Sequence, residues 1–338
     1  MNVTSAIPNP PEDQRGSRAI ASRRAARGFA QVIGPRGILL LLIASMAGGC
    51  SVRKFAINQV GDALAGGGTT FASDDDPELV RQAVPFSLKL MESLLAETPE
   101  HQGLLFASAS GFTQYAYAFV QQEADEREDE DVAAAATMRD RARRLHLRAR
   151  NYGLRGLEAS HPGFQEKLRD DATAAVALAR RRDVPLLYWT AASWASAISL
   201  SKNNPDLIAD LPQVEAMIDR ALELDEAWDR GAIHSLLITY ETVRQGAAGE
   251  GADRARRHFE RAIELSGGRN AGPYVALAEA VAVQAQNVKE FDALLAQALA
   301  IDADATPDQR LVNLVMQRRA RWLLARRENL FLLPNDSN

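Results

Sequence analysis

Beyond about residue 75, apolar residues recur three and four positions apart, broken by Pro, Gly and Asn. No segment alternates as a half-buried strand does. Asp76-Pro77-Glu78 has the order of an N-cap, a first-position proline and an acidic first turn, so a helix starts there. Leu79, Val80, Ala83, Leu90, Met91, Leu94 and Leu95 supply its apolar face, and Pro85 predicts a kink or a break inside it. A second helix is predicted from about His101 to Gln122, carrying Phe106, Phe112, Tyr115, Tyr117 and Phe119. The acidic run Asp125 to Asp131 then reads as a solvated loop or a helix start. A basic helix from Val132 to Glu158 closes at Ser160-His161-Pro162-Gly163, and Phe164 to Arg182 forms the next. Pro185 opens another, through Tyr188, Trp189, Trp194, Ile198 and Leu200, which stops at Lys202-Asn203-Asn204-Pro205.

From there the pattern repeats. Ala221-Leu-Glu-Leu-Asp225 returns as Ala262-Ile-Glu-Leu265 and as Ala298-Leu-Ala-Ile-Asp302, at intervals of 41 and 36 residues. These lie near the ~34-residue period of tetratricopeptide repeats. Ala255, Phe259 and Ala262 fit the A-x-x-x-F-x-x-A pattern, in which small residues let two helices approach and an aromatic ring fills the gap. Helices over 206–225, 228–245, 253–265, 273–286, 288–301 and 308–330 then stack as antiparallel pairs, none able to bury its apolar face alone. The expected fold is all-α: a tetratricopeptide-like array of antiparallel helix pairs, an α-solenoid of eleven or twelve helices. It forms one domain over 76–333, with a concave groove and a short tail at 334–338.

The N-terminal segment is different in kind. Arg15, Arg18, Arg23, Arg24, Arg27 and Arg36 precede a 13-residue apolar run, Gly37 to Gly49, that ends at Cys50. A bilayer-spanning helix needs about 20 residues, so residues 1–49 read as a secretory signal peptide. Ala47-Gly48-Gly49-Cys50 resembles a bacterial lipobox, which implies that Cys50 is acylated and becomes the first mature residue, with 50–75 as a tether or a first short helix. Ser51, where inner-membrane lipoproteins carry aspartate, points to the outer membrane. Arg23-Arg24 leaves twin-arginine export as an alternative route. A free thiol in a buried helix is the other reading of Cys50, but it explains neither the abrupt end of the apolar run nor the lack of any second cysteine.

Composition narrows the functions. The 338 residues are 46% hydrophobic and 25% charged, as in a folded soluble protein, and the net charge is −5. The first 49 residues carry six arginines against Glu12 and Asp13, so the chain after them stands at −9. No basic field draws it to nucleic acid. A single cysteine excludes an intramolecular disulfide and a cysteine-based metal cluster. H-E-x-x-H, P-loop, G-x-S-x-G and G-x-G-x-x-G are all absent, and the five histidines never fall four apart on one helix. The chain is therefore read as a non-enzyme, with no metal and no cofactor.

Candidates for a ligand cleft come from residues that a bland helix does not explain. Trp189 and Trp194 stand about 140° apart around their helix, and Tyr188 lies between them, so this helix is aromatic on every side and reads as buried. One indole lines a cleft, or both pack in the core. Lys202 either complements a helix C-terminus or meets a substrate carboxylate. His234 is either a hydrogen-bonded core histidine or a ligand group. Tyr274 is a further cleft candidate, and Glu279, in the apolar stretch that Tyr274 begins, is on the wet face or paired with an arginine of another helix, because an unpaired buried carboxylate is costly. Arg318, Arg319, Arg321, Arg326 and Arg327 surround Trp322 on the last helix, as a solvated cap or a docking surface.

Several segments occur together in an order that carries a family resemblance. They are Tyr188-Trp-Thr-Ala-Ala-Ser-Trp-Ala195, Ile198-Ser-Leu-Ser-Lys202, Leu211-Pro212, Ala221-Leu-Glu-Leu-Asp225, Gly231-Ala-Ile-His234, His258-Phe-Glu-Arg-Ala262, Ser266-Gly-Gly268, Ala271-Gly-Pro-Tyr274 and Gln317-Arg-Arg-Ala-Arg-Trp-Leu-Leu324. With Gly111-Phe112, Tyr115, Arg148 and Tyr152-Gly-Leu154 they resemble the T-component (TatT) family of tripartite ATP-independent periplasmic (TRAP) transporters, from the lipobox to the last helix. The resemblance implies a periplasmic lipoprotein of tetratricopeptide-like helices, a homotrimer, a TRAP solute-binding protein as partner, and an apolar or organic-acid ligand in a cleft or channel. The alternative is a general tetratricopeptide lipoprotein scaffold of the outer membrane for envelope protein assembly.

Overall fold

The computed structural model describes residues 59–63, 66 and 68–332, all within one compact unit, Ala56–Asn338. The export segment 1–49, Cys50 and the 334–338 tail read from the sequence lie outside the described residues. Among the described residues every regular element is helical. In order they are α1 (Gly68–Ala72), α2 (Pro77–Glu97), α3 (Gln102–Ala116), α4 (Gln122–Arg127), α5 (Val132–Ser160), α6 (Phe164–Asp170), α7 (Ala172–Val176) and α8 (Val184–Ser199). Then come α9 (Pro205–Ile208), α10 (Leu211–Asp225), α11 (Ala232–Tyr240), α12 (Gly251–Ser266), α13 (Ala271–Leu277), α14 (Val288–Ala300), α15 (Arg310–Ala325) and α16 (Arg327–Leu330). One π-helical turn, Tyr117–Gln121, joins α3 to α4, and another, Ala278–Ala282, extends α13.

The segments outnumber the eleven or twelve helices expected because local caps divide longer apolar runs. Asp171 ends α6 and caps α7 by accepting from the Ala174 amide at 2.9 Å. Asn204 does the same for α9, through the amides of Asp206 and Leu207. Asp76 caps α2 as its sequence position dictates, accepting from Glu78 and Leu79 at 3.0 Å. Pro85 breaks nothing, since α2 runs through it as one 21-residue helix. The second predicted helix passes the π-turn without stopping and takes in the start of the acidic run as α4.

The helices pack against one another as an array, with α5 against α3 and α8, α8 against α10, α11 against α12, and α13 against α14 and α15. Small residues set the spacing. Ala135, Ala142 and Ala149, seven apart on α5, are fully buried, and they clear a lane on a helix otherwise crowded with arginine. Gly153 continues that lane: a Cβ built on it would stand 2.0 Å from Thr190 Oγ1 and 3.3 Å from the Thr190 Cα of α8. Ala255 and Ala262 on α12 are likewise buried, and Phe259 between them meets Tyr274 edge-on at 5.4 Å.

The two ends of the array meet. In an open solenoid each repeat touches only its neighbours, but α15 packs on α1 and α2 as well as on α13 and α14. Val315 of α15 shares one core with Val80, Phe112 and Tyr115, and the Arg310 side chain donates to the Ser73 carbonyl at 2.9 Å. Gly153→Ala therefore adds a methyl group where no space exists, and is expected to cost about 1–3 kcal/mol. A urea-denaturation series on the variant measures this, and an unchanged midpoint would show that the α5–α8 contact can open.

Candidate functional site

The aromatic residues of α8 point to different places. Tyr188 is wedged between Trp189, edge-on at 4.9 Å, and Trp228, at 4.8 Å, and burial raises its hydroxyl pKa. Trp194 faces the other way into the core. Its Nε1 donates to Asp210 at 3.1 Å, and the Arg150 guanidinium lies 4.8 Å from its ring centroid. The wide angle between the two indoles thus separates a partly buried pair, Tyr188 and Trp189, from a core indole. Lys202 is exposed in the turn after α8.

Past Trp228 the chain turns sharply. Asp229, Arg230 and Gly231 all have positive φ, at 44°, 54° and 86°. Only glycine takes that backbone at no cost, and consecutive left-handed residues store strain that the surroundings must hold. The hold here is the Arg230–Asp308 ion pair, which ties the turn to the segment ahead of α15. Gly231 also passes close to Leu265 of α12, whose Cβ would lie 3.1 Å from an added methyl group.

This turn delivers His234 against His258 of α12, Nδ1 to Nδ1 at 2.8 Å, while His234 Nε2 lies 3.4 Å from Glu226. Glu226 favours a proton on Nε2 of His234, so His234 Nδ1 accepts from His258 Nδ1–H and both rings are neutral. Burial holds His234 below the usual imidazole range against the pull of Glu226. His258 is pushed down to about 4, by burial first and then by the repulsion that a protonated His234 would exert. Beside the pair is an open depression of about 560 Å³, lined by Arg181, Leu222, Leu224, Asp225, Glu226 and His234.

Tyr274 and Glu279 belong to a different part of the molecule. Tyr274 packs with Phe259 on the C-terminal core. Glu279, in the second π-turn, accepts from Arg319 of α15 at 2.7 Å, and the same guanidinium donates to Asp125 of α4 at 2.8 Å. Asp125 also accepts from Arg139 of α5 at 2.9 Å, and Trp322 lies under Arg319 with its ring centroid 4.2 Å away. Tyr117, in the first π-turn, reaches the Met316 sulfur of the same helix at 3.9 Å. Both π-turns therefore face α15, and the acidic run is a partner for arginine: Arg318 pairs with Glu126 and Arg326 with Asp129. These internal pairs, with Arg327–Asp292, occupy most of the cationic surface read as a docking face. Arg321 is left exposed.

The seven cleft candidates are thus not gathered into one cavity. Sequence reasoning missed His258, because its partner lies on another helix 24 residues away. It also missed Trp228, Asp210 and Asp125, which have no periodic signal of their own. Among the described residues no group of three or more His, Cys, Asp and Glu side chains is placed to hold a metal ion.

Two outcomes follow from these contacts. Arg319→Met strands Glu279 and leaves Asp125 with Arg139 alone, and should destabilise by about 3 kcal/mol. Adding Glu279→Met should recover part of that loss, a non-additivity that a double-mutant cycle measures; strict additivity would mean the pair does not interact. For pH, His146 is pushed down to about 4 by burial and His258 to about 4. The unfolded chain, with histidines near 6.5, then binds more protons than the folded one. Stability should be flat above pH 6.5 and fall as pH drops from about 6.5 toward 4, by about 3 kcal/mol for His146, with a smaller share from the more solvated His258. Urea midpoints from pH 7.5 to 4.5 test this, and His146→Leu should flatten the slope.

A family model described as TRAP transporter T-component matches residues 73–331, the whole run from the approach to α2 to the end of α16. An uncharacterized protein of Treponema pallidum (strain Nichols) is 29% identical over 305 residues, which covers 85% of this chain and 94% of that relative. The match spans the aromatic helix, the histidine hairpin and the closing arginine helix together, and the chain belongs to the TRAP transporter T-component family.

Proposed function

We propose that this chain is a periplasm-facing lipoprotein, anchored through Cys50 to the outer membrane, that serves a TRAP-type transport system as a ligand-handling and protein-docking helical scaffold without chemistry of its own. The family match over 73–331 carries the reading. The lipobox-like Ala47-Gly48-Gly49-Cys50 behind a short apolar run supports the anchor. The mechanism is passive: affinity comes from shape, from half-buried aromatic surface such as Tyr188 and Trp189, and from docking to a solute-binding protein.

Apolar surface left uncovered supports association. Leu79 and Phe86, two turns apart on one side of α2, are 56% and 74% exposed, and large exposed apolar residues that line up on one face mark contact surfaces. We assign this stripe to the subunit contacts of a homotrimer. Native mass spectrometry of the full-length protein, alone and with a TRAP solute-binding protein, tests the proposal. A trimer and a mixed complex are expected, and Phe86→Glu should yield a monomer that keeps its helical circular-dichroism spectrum, with a lower melting temperature because the association is lost. A monomer at every concentration would remove the trimer, and failure to bind the partner would leave a general envelope-assembly scaffold as the reading.

A further inference from the structure

The turn after α10 brings a third aromatic ring to the pair on α8. Tyr188 and Trp189 are neighbours on α8, α8 packs on α10, and Trp228 follows the end of α10. The Tyr188 ring stands at 78° to Trp189 and at 50° to Trp228, with centroids 4.9 and 4.8 Å away. Planes inclined this steeply make a corner of ring faces and edges, not a stack. Tyr188 and Trp228 rest on the apolar core around α8 and α10, whereas Trp189 joins no core among the described residues. All three rings are partly exposed, and so reachable from solvent. Asp229 follows Trp228 on exposed, left-handed backbone, near enough to Tyr188 that its charge adds to burial in raising the hydroxyl pKa.

No cation of the protein itself serves this corner. Of the four tryptophans, Trp194 and Trp322 each have a guanidinium beside the ring, 4.8 and 4.2 Å from its centroid. Trp189, Trp228 and Tyr188 have none among the described residues. Nor does the Asp229 carboxylate make an ion pair or a hydrogen bond there. Its neighbour Arg230 is committed to Asp308 through two hydrogen bonds. Partial desolvation raises the Asp229 carboxyl pKa, Arg230 opposes the rise, and Asp308 adds to it. A cation placed against these rings therefore meets a carboxylate whose charge its surroundings leave uncompensated.

We propose that Tyr188, Trp189, Trp228 and Asp229 form a binding site for a quaternary ammonium group, the trimethylammonium of a small metabolite or of a lipid headgroup. Ring faces attract a cation through their quadrupoles, most strongly for indole, and Asp229 supplies the countercharge. The class of cation follows from how few acceptors the corner offers. A primary ammonium has three donors and a guanidinium five, and one carboxylate with one hydroxyl cannot accept them all. A quaternary ammonium has no N–H to leave unpaired, and its methyl groups pack against the rings. The inference gives the ligand-handling reading above a ligand class and rests on that reading only for what the binding serves, because binding is measured on this protein without any partner.

The test is tryptophan fluorescence and isothermal titration on the full-length protein, against sodium chloride at equal ionic strength. The probes are tetramethylammonium chloride, choline chloride and dihexanoylphosphatidylcholine below its micellar concentration. Saturable binding of at least one probe beyond the sodium response is expected, and the tighter of choline and the lipid identifies the source. Trp189→Ala and Asp229→Asn should each weaken binding about fivefold or more, while Glu166→Gln on α6 should leave it unchanged. Both variants should keep the helical circular-dichroism spectrum, since Trp189 joins no core and asparagine adopts left-handed backbone readily. No saturable response with any probe, or binding that neither substitution weakens, would overturn the inference. Ammonium chloride binding as tightly as the methylated probes would overturn it as well. A positive titration alongside failed capture of a TRAP solute-binding protein would leave this site standing and remove the transport reading, and a mixed complex without any titration would do the reverse.

Discussion

Arg319 holds together parts of the chain that helical periodicity alone would leave apart. Its guanidinium takes Glu279 from 40 residues away and Asp125 from 194 residues away, while Val315 and Met316 of the same helix pack on residues from α2, α3 and the first π-turn. A stack of helix pairs has two ends, each with an apolar face that needs a cover. Here the last long helix covers both its own neighbours and the first helices, so the array ends on itself. The charge pattern makes that return specific. Apolar faces alone tolerate sliding, whereas a forked donor set between two carboxylates accepts one register.

The same contact accounts for the irregular backbone. Two π-turns, Tyr117–Gln121 and Ala278–Ala282, occur where α3 and α13 pass α15. An inserted residue rotates the helix beyond it, and this rotation is what lets Tyr117 meet Met316 while Asp125, two turns on, still meets Arg319. Single π-turns of this kind are commonly kept where they aim a side chain. A comparable exchange holds at the 228–231 turn, where three left-handed residues and the Arg230–Asp308 pair aim His234 at His258. Strain in one segment is met by ion pairing to a distant one.

Function in such a body depends on surfaces between rods. Two depressions lie where a helix ends and the chain turns, at 222–227 beside His234 and at 200–204 beside α5. Helix centres are occupied by packing: alanine lanes on α5 and α12 are fully buried against neighbouring helices.

Much of this protein was legible in its residue order. The all-helical class, the start of α2 at Asp76, the span of α14, the alanines around Phe259 and the family resemblance all rest on local periodicity, caps and ordered motifs, which act within a few residues of chain and need no partner to be recognised. The pairing of His234 with His258, the division of α8 into a partly buried aromatic pair and a core indole, and the use of the acidic run as a partner for arginine were decided by tertiary packing. Charged and polar residues have no period of their own. Which carboxylate meets which guanidinium depends on helix rotation and on the return of α15, and both emerge only when the apolar faces close on one another.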